Sequence, residues 1–132
     1  MPNNPDVYAD MLGAKMKEHD TKVYLINTGW SGGAYGVGKR MDINLTRKMV
    51  EAALNGALAN VEYEYDELFH VNIPKTCPGV PSEILFPKNT WEDKAAYDAT
   101  AQKLAKQFTA AFDKAYGDKN IKASVVAECP GK

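Results

Sequence analysis

Residues 23–46 read VYLINTGWSGGAYGVGKRMDINLT, and this stretch decides the fold. An apolar run typical of a β-strand leads into a loop with five glycines, which a basic pair, Lys39 and Arg40, follows. A helix is predicted to open directly afterwards, at Asn44–Thr46. Proteins use this order of strand, glycine-rich loop, basic residue and helix N-terminus to bring backbone amides against phosphate. The stretch therefore predicts an α/β fold with a ligand site at the loop.

The composition is that of an ordinary globular protein. At 132 residues, with 45% hydrophobic and 25% charged residues, the chain has the size of one domain or a piece of one. Its net charge of −1 gives no basic excess for binding nucleic acid, and its apolar runs fall short of the roughly 20 residues that span a bilayer. The N-terminal residues lack the features of a signal peptide, so we expect a cytoplasmic protein with free thiols at Cys77 and Cys129.

Hydrophobic periodicity predicts three long helices. They span residues 6–19, 45–54 and 91–116. Asp6 is predicted to cap the first helix, and Gly117 to end the third. Thr90, with Asp93 three residues further on, resembles a capping box at the start of the third helix.

Three segments have the patterns of strands, and they decide the fold class. They are residues 22–28, which are apolar enough for a buried strand, residues 61–65 and residues 68–73. The tail, residues 121–132, is interpreted as a short strand or a disordered end. Only one strand leads clearly into a helix, whereas a complete doubly wound sheet needs several such units. We therefore interpret residues 1–132 as a single partial domain of mixed α/β class, with about three helices and a few strands.

Gly33–Arg40, GAYGVGKR, fits the phosphate-binding template G-x-x-x-x-G-K-[ST] except at its last position. Arg40 stands where the template needs a hydroxyl for magnesium, and a guanidinium has no lone pair to offer a metal. A working P-loop is therefore disfavoured. Two interpretations remain: a plain turn, or a ligand contact in which Arg40 pairs with phosphate or stacks on a base while Met41 lies against a flat ring. Thr46 caps the helix or bonds to a ligand, and the sequence favours the cap.

Other side chains give no pattern for catalysis or metal binding. His19 and His70 lie far apart in sequence, without the spacing of paired metal ligands. Trp30 is interpreted as packing support for the loop, and the stripe of Phe108 and Phe112 as core. From the residues alone we predict no catalytic group and no metal site.

The run LINTGWSGGAYGVGKRMDINLTR, residues 25–47, resembles the nucleotide-binding strand and loop of ATP-dependent phosphoenolpyruvate carboxykinases. The likeness continues through NGAL, FHVNIPKTCPGVPSEILFPKNTW, KLAKQF and FDKAY, and covers most of residues 8–116 in unbroken order. It is a likeness to the C-terminal portion of that family, and it implies that the chain is a C-terminal fragment of the family's nucleotide-binding domain.

The resemblance implies an activity and a site. Members of the family convert oxaloacetate and ATP to phosphoenolpyruvate, ADP and carbon dioxide in gluconeogenesis, with Mg²⁺ and commonly Mn²⁺. By analogy, Arg40 and Met41 would lie against the adenine of ATP, and Thr46 would also contact the nucleotide. The family's phosphate-binding loop, its metal ligands and the arginine for the substrate carboxylate lie upstream of the matched region. The chain alone is therefore expected to be inactive. Its expected ligand is ATP or ADP, and no binding to nucleic acid or to a membrane is expected.

Two alternatives stay open beside this interpretation. One is a standalone, non-enzymatic module that binds nucleotide and regulates a partner. The other is a small kinase with a degenerate P-loop. If the chain is part of a larger sheet, its apolar edges are exposed, and we expect self-association or marginal stability.

Overall fold

The computed structural model describes residues 3–132, which divide into two compact units. The first unit contains the N-terminal residues up to Val23, residues 68–70 and residues 102–132. The second unit contains residues 24–67 and 71–101, and therefore the whole glycine-rich loop. The single partial domain that the sequence suggests stays a prediction.

Three long helices and three short ones form in the described part of the chain. They are α1 (Pro5–His19), α2 (Ile43–Leu54), α3 (Ser82–Leu85), α4 (Pro87–Thr90), α5 (Lys94–Tyr116) and α6 (Ala123–Ala127). The three long helices predicted from periodicity are confirmed: their starts are shifted by one to three residues, and their ends are as predicted. At the end of α5 the Gly117 amide donates to the Asp113 carbonyl at 2.7 Å, as expected of the residue that ends a helix.

In residues 3–132, four short strands pair as two antiparallel ribbons. β1 (Trp30–Ser31) pairs with β2 (Lys39–Arg40), and β3 (Tyr63–Asp66) pairs with β4 (Val71–Pro74). The mixed α/β class with a few strands is confirmed. Among residues 3–132, none of the helices has the length and apolar character needed to cross a membrane.

The predicted strand at residues 22–28 does not form in this structure. The segment has no regular structure, and the first strand begins only at Trp30. Val23 and Leu25 remain 58% and 87% exposed, respectively. A strand needs a neighbour to bond with, and no strand in residues 3–132 pairs with this segment. The prediction was therefore wrong for the chain by itself.

The caps of two helices also differ from prediction. Asn4 precedes α1 with an extended backbone, and Asp6 lies inside the first turn, where its Oδ1 accepts from the Val7 amide at 3.0 Å. Helix α5 begins at Lys94, because Asp93 Oδ1 accepts from the Ala95 and Ala96 amides at 2.8 and 3.0 Å. Thr90 does not cap this helix, since it ends α4.

Small side chains form the buried parts of both units. In the second unit Ala52, Leu58, Cys77 and Val80 make up the core, with half-buried apolar residues around it. Along α5 the buried positions are Ala101 and Ala105, whereas Phe108 is 48% exposed. The predicted core stripe is therefore wrong for Phe108, whereas Phe112 is half-buried and packs against Tyr116.

The tail is ordered in the first unit, in contrast to both interpretations of its sequence. It forms α6, and the Pro130 carbonyl then accepts from Thr109 Oγ1 at 2.9 Å. A Cβ on Gly131 would lie 2.9 Å from the Ala105 carbonyl oxygen, so the tail approaches α5 more closely than a side chain allows. Small residues on both partners make this approach possible.

Candidate functional site

The glycine-rich loop is carried by a two-stranded hairpin. Trp30 pairs with Arg40 and Ser31 with Lys39, which leaves residues 32–38 as the loop between the strands. The Met41 amide donates to the Gly29 carbonyl at 2.8 Å and extends this pairing by one bond. These bonds place the two basic side chains at the base of the loop, on a strand.

The interior of the loop is closed by its own backbone. The Ala34 carbonyl accepts from the amides of Val37 and Gly38 at 3.0 and 2.8 Å. A Cβ on Gly38 would lie 2.4 Å from the Gly33 carbonyl oxygen and 2.8 Å from that of Ser31. No side chain fits at that distance, so glycine is required at position 38 for the loop to close.

This geometry is not that of a P-loop. In a P-loop the backbone amides point at the phosphates, and the helix begins directly after the lysine. Here two amides point at Ala34, Lys39 and Arg40 lie in β2, and α2 begins only at Ile43. The alternative of a small kinase with a degenerate P-loop is therefore not supported.

Helix α2 is capped by Asp42, whose Oδ1 accepts from the Asn44 amide at 2.7 Å. The expectation that Thr46 caps this helix is wrong. Thr46 lies in the fourth position of the helix, 7% exposed, and its amide donates to the Asp42 carbonyl at 3.0 Å. Asp42, Asn44 and Thr46 can each cap a helix and alternate with apolar residues here, so the sequence alone did not fix where the helix starts.

A cleft of about 920 Å³ lies beside the loop. One wall is formed by the loop with Arg40 and Met41, and the other by residues 90–93, which join α4 to α5. This volume lies within the range of roughly 300–1,000 Å³ that is common for sites of small molecules and cofactors. The cleft is therefore large enough for a nucleotide.

A set of hydrogen bonds fixes the two walls of the cleft relative to each other. Ser31 Oγ donates to Thr90 Oγ1 at 3.2 Å, and Thr90 Oγ1 donates to the Pro87 carbonyl at 2.7 Å. A Cβ on Gly32 would lie only 3.0 Å from the Thr90 carbonyl oxygen. On the far side, Lys94 Nζ donates to the carbonyls of Lys88, Asn89 and Trp91, at 2.9, 2.9 and 2.8 Å. The wall opposite the loop is thus held in place before any ligand arrives.

The charges of the cleft are divided between its walls. Lys39 and Arg40 are exposed on the loop side, and within residues 3–132 neither makes a salt bridge. Glu92 and Asp93 lie on the other wall, and Asp42 follows Met41. A cation without a carboxylate partner is available to a ligand, and the nearby carboxylates disfavour a highly charged anion between the walls.

The structure brings together two of the three predicted ligand contacts. Arg40 and Met41 line the cleft, and Met41 is half-buried. Thr46 does not line it, but borders a separate depression of about 520 Å³ on α2. Trp30 packs edge-on against Tyr35 in the loop, with ring centroids 5.4 Å apart, which agrees with the expected packing role.

Sequence reasoning missed the wall at residues 90–93. The bond between Ser31 and Thr90 joins residues 59 positions apart, and no local pattern connects them. The capping pattern that includes Asp93 can be recognised in the sequence, but it predicts only the start of a helix and not a cleft. Charged residues just before a long helix are common, so nothing in their spacing points to a cleft.

The described residues do not form a metal site. Within residues 3–132, no group of three or more His, Cys, Asp or Glu side chains could hold a metal ion.

Comparison with known proteins assigns the chain to a family. The sequence profile of the family described as "Phosphoenolpyruvate carboxykinase" matches residues 1–83. The chain is 59% identical over 114 residues to the phosphoenolpyruvate carboxykinase (ATP) of Caldanaerobacter subterraneus subsp. tengcongensis, covering 86% of this chain and 22% of that protein. It is 56% identical over 116 residues to the enzyme of the same name from Fusobacterium nucleatum, covering 88% of this chain and 22% of that protein.

A third relative gives the same picture. The phosphoenolpyruvate carboxykinase (ATP) of Flavobacterium johnsoniae is 58% identical over 114 residues, which is 86% of this chain and 21% of that protein. The chain thus spans about a fifth of the length of the relatives that it matches. This agrees with the expectation that it corresponds to one portion of such a protein. The resemblance found in the sequence is confirmed: the chain belongs to the phosphoenolpyruvate carboxykinase family.

Proposed function

We propose that this chain forms the adenine side of the nucleotide site of an ATP-dependent phosphoenolpyruvate carboxykinase. By its membership of the family, the complete enzyme would convert oxaloacetate and ATP to phosphoenolpyruvate, ADP and carbon dioxide; the relatives are named phosphoenolpyruvate carboxykinase (ATP). The observation that carries the proposal is that Arg40, without a salt bridge in residues 3–132, lies beside Met41 on a cleft of about 920 Å³.

The chemistry of the two side chains suits a base better than a phosphate chain. The planar guanidinium of Arg40 can stack on a purine, and the flexible thioether of Met41 can lie against a flat ring. Glu92 and Asp93 face the same cleft, and their charges would repel a triphosphate bound between the walls. The amides of Val37 and Gly38, which a phosphate would need, are already bonded to Ala34.

Thr46 is proposed as a further nucleotide contact, by analogy with the family. Its side chain is largely buried and borders the depression on α2, outside the cleft. A direct contact would require α2 or the side chain to take another position when nucleotide binds. Replacement of Thr46 by Val is expected to change nucleotide affinity only if that rearrangement occurs.

The chain alone is proposed to be inactive. Phosphoryl transfer depends on in-line positioning and on neutralisation of charge by metal ions and cations. Mg²⁺ or Mn²⁺ would supply that neutralisation in the complete enzyme, and residues 3–132 offer no cluster to hold either ion. Turnover of oxaloacetate and ATP by the isolated chain would contradict this proposal.

An NMR titration of the ¹⁵N-labelled chain tests the adenine-side contact. Magnesium-ATP and adenosine are both expected to shift the amides of Gly36–Thr46, whereas inorganic pyrophosphate is expected to leave them unchanged. Shifts with pyrophosphate but not adenosine would contradict the assignment of the base. No shifts with any ligand at millimolar concentration would contradict binding by this chain.

The two arginines of the chain provide a matched pair of variants. Arg40→Gln removes the cation on the cleft, and Arg47→Gln makes the same change on α2, outside the cleft. We expect Arg40→Gln to weaken nucleotide binding by about tenfold, the effect of one stacked or charge-assisted contact of about 1.4 kcal/mol. Arg47→Gln should leave the affinity within about twofold. Equal losses in both variants would show that net charge, not the cleft, determines binding.

A further inference from the structure

Trp91 is the aromatic residue of the cleft. It lies on the wall of residues 90–93, and Arg40 and Met41 lie on the opposite wall. In the described part of the chain, residues 3–132, the cleft has no other aromatic lining residue. Trp91 is half-buried, so part of its side chain remains accessible. The cleft therefore presents a single aromatic side chain to a ligand, on the side away from the glycine-rich loop.

Trp91 is held in place through its side chain and through its backbone. Its indole packs edge-to-face with Tyr97, with ring centroids 5.6 Å apart and ring planes at 76°. Its amide donates to the Lys88 carbonyl at 3.3 Å, and its carbonyl accepts from Lys94 Nζ at 2.8 Å. An aromatic side chain that is fixed in advance loses little conformational entropy when a ligand binds. The position of Trp91 therefore does not depend on the ligand.

The contact with Tyr97 leaves room for a second contact on the indole. In an edge-to-face pair one ring presents its edge and the other ring one face, so Tyr97 covers at most one face of the indole. A tryptophan that served only to pack against α5 would lie behind the wall, as Tyr97 does, which does not line the cleft. Trp91 instead borders the cleft itself.

The surroundings of Trp91 favour a flat, uncharged ring. Met41 is half-buried on the opposite wall, and its flexible thioether adapts to the face of a ring. Glu92 follows Trp91 directly on the wall, and its carboxylate disfavours a phosphate at this position. Every nucleic-acid base has a π face that can stack on an aromatic side chain. The heterocycle of a nucleotide suits this arrangement, whereas its phosphates do not.

We propose that Trp91 is a base-stacking residue of the nucleotide site, which holds the purine from the wall opposite Met41. This inference rests on the proposed function, since that function assigns adenine to the cleft. It goes further because it gives a direct ligand contact to the wall of residues 90–93, which the bond between Ser31 and Thr90 joins to the loop. The purine then has an apolar or aromatic side chain on each of its two faces.

The indole N–H signals of the ¹⁵N-labelled chain test the stacking directly. The chain has two tryptophans, Trp30 and Trp91, and the variant Trp30→Phe assigns the two signals. Adenosine is expected to move the Trp91 indole proton upfield, because the ring current of a stacked purine shields protons above its face. The Trp30 signal should change much less, since Trp30 packs against Tyr35 and does not line the cleft. An unchanged Trp91 signal, or equal shifts of both signals, would overturn the inference.

Variants at position 91 measure the contribution of the contact to affinity. Trp91→Leu should weaken adenosine binding by about tenfold, the effect of losing one stack between a base and an aromatic ring. Trp91→Tyr keeps a flat aromatic ring and should recover most of that loss. Phe108→Leu is the matched control, because Phe108 is 48% exposed on α5 outside the cleft, and it should leave the affinity unchanged. Equal affinities of Trp91→Leu and the unmodified chain would contradict a stacking role.

The amides of Gly36–Thr46 separate this inference from the proposed function. If adenosine shifts those amides but changes neither the Trp91 indole signal nor the affinity of Trp91→Leu, the proposed function stands and the stacking role is wrong. If adenosine shifts neither the amides nor the indole signal, the adenine site itself is contradicted and the inference fails with it. A shift of the Trp91 signal with inorganic pyrophosphate but not with adenosine would assign this wall to phosphate and overturn the inference.

Discussion

Gly38 is the residue on which closure of the glycine-rich loop depends. The atoms that a side chain would meet there are backbone carbonyl oxygens, 2.4 and 2.8 Å from the position of a Cβ. Backbone atoms cannot move aside as a flexible side chain can. Gly13 in α1 is the opposite case, because no atom lies within 4 Å of the position of its Cβ.

The contrast gives a prediction for the two glycines. Gly38→Ala should lower the free energy of unfolding by about 1–3 kcal/mol, since the loop must shift to admit the methyl group. Gly13→Ala should raise it by about 0.5–1 kcal/mol, because alanine loses less backbone entropy in a helix. Urea unfolding followed by far-UV circular dichroism measures both. Equal effects of the same sign would contradict the structural difference between the two positions.

At the scale of elements, α5 depends on one carboxylate at its start. Asp93 Oδ1 accepts from two amides of the first turn, at 2.8 and 3.0 Å. The same residue lies on the wall of the cleft, next to the segment that Lys94 holds through three carbonyls. The cap therefore stabilises the longest helix and also fixes one wall of the proposed nucleotide site.

Variants at position 93 test this cap. Asp93→Ala is expected to cost about 1 kcal/mol of stability, because two amides at the helix start lose their acceptor. Asp93→Asn keeps an acceptor oxygen and should cost only a few tenths of a kcal/mol. The midpoint of urea unfolding gives the comparison. If Asn were as damaging as Ala, the charge of Asp93 and not its hydrogen bonds would be the stabilising factor.

At the scale of the whole molecule, loss of water around three ionisable groups favours their neutral forms. Burial raises the pKa of the Cys77 thiol above its usual value of 9.0. Burial also raises the pKa of Tyr63. It raises the pKa of Tyr97 as well, and the negative charges of Asp66 and Asp98 raise that pKa further. Tyr63 keeps its hydroxyl proton in a 2.8 Å hydrogen bond to the Leu58 carbonyl. The folded chain therefore holds protons that the unfolded chain releases at alkaline pH.

The sign of these shifts predicts an alkaline loss of stability. The contribution is complete below pH 9.0, the usual thiol value, and is lost as pH rises through the higher pKa values of the folded state. The midpoint of urea unfolding should therefore decline above about pH 9. In Tyr97→Phe the part of the decline that begins near pH 10.0, the usual tyrosine value, should be smaller. An undiminished decline in this variant would show that Tyr97 does not contribute.

The sequence by itself determined the features that depend on neighbours along the chain. The periodicity of residues 6–19 and 91–116 predicts helices because hydrogen bonds four residues apart and one apolar face are both local. Gly117 predicts the end of α5 for the same reason, since the effect of a glycine on a helix end is local. The run of residues 25–47 carries the resemblance that placed the chain in its family. The basic pair in this run predicted a ligand contact at Arg40.

Only the tertiary structure decided what depends on groups distant in sequence. The segment 22–28 has the composition of a buried strand, but pairing requires a neighbour that residues 3–132 do not provide. Thr90 forms a wall of the cleft through a bond to Ser31, 59 residues away. Thr46 is buried beside a different depression from Arg40, because α2 turns the face with Ala52 toward the core of its unit. Each outcome depends on which surfaces meet, and a one-dimensional pattern carries no information on that.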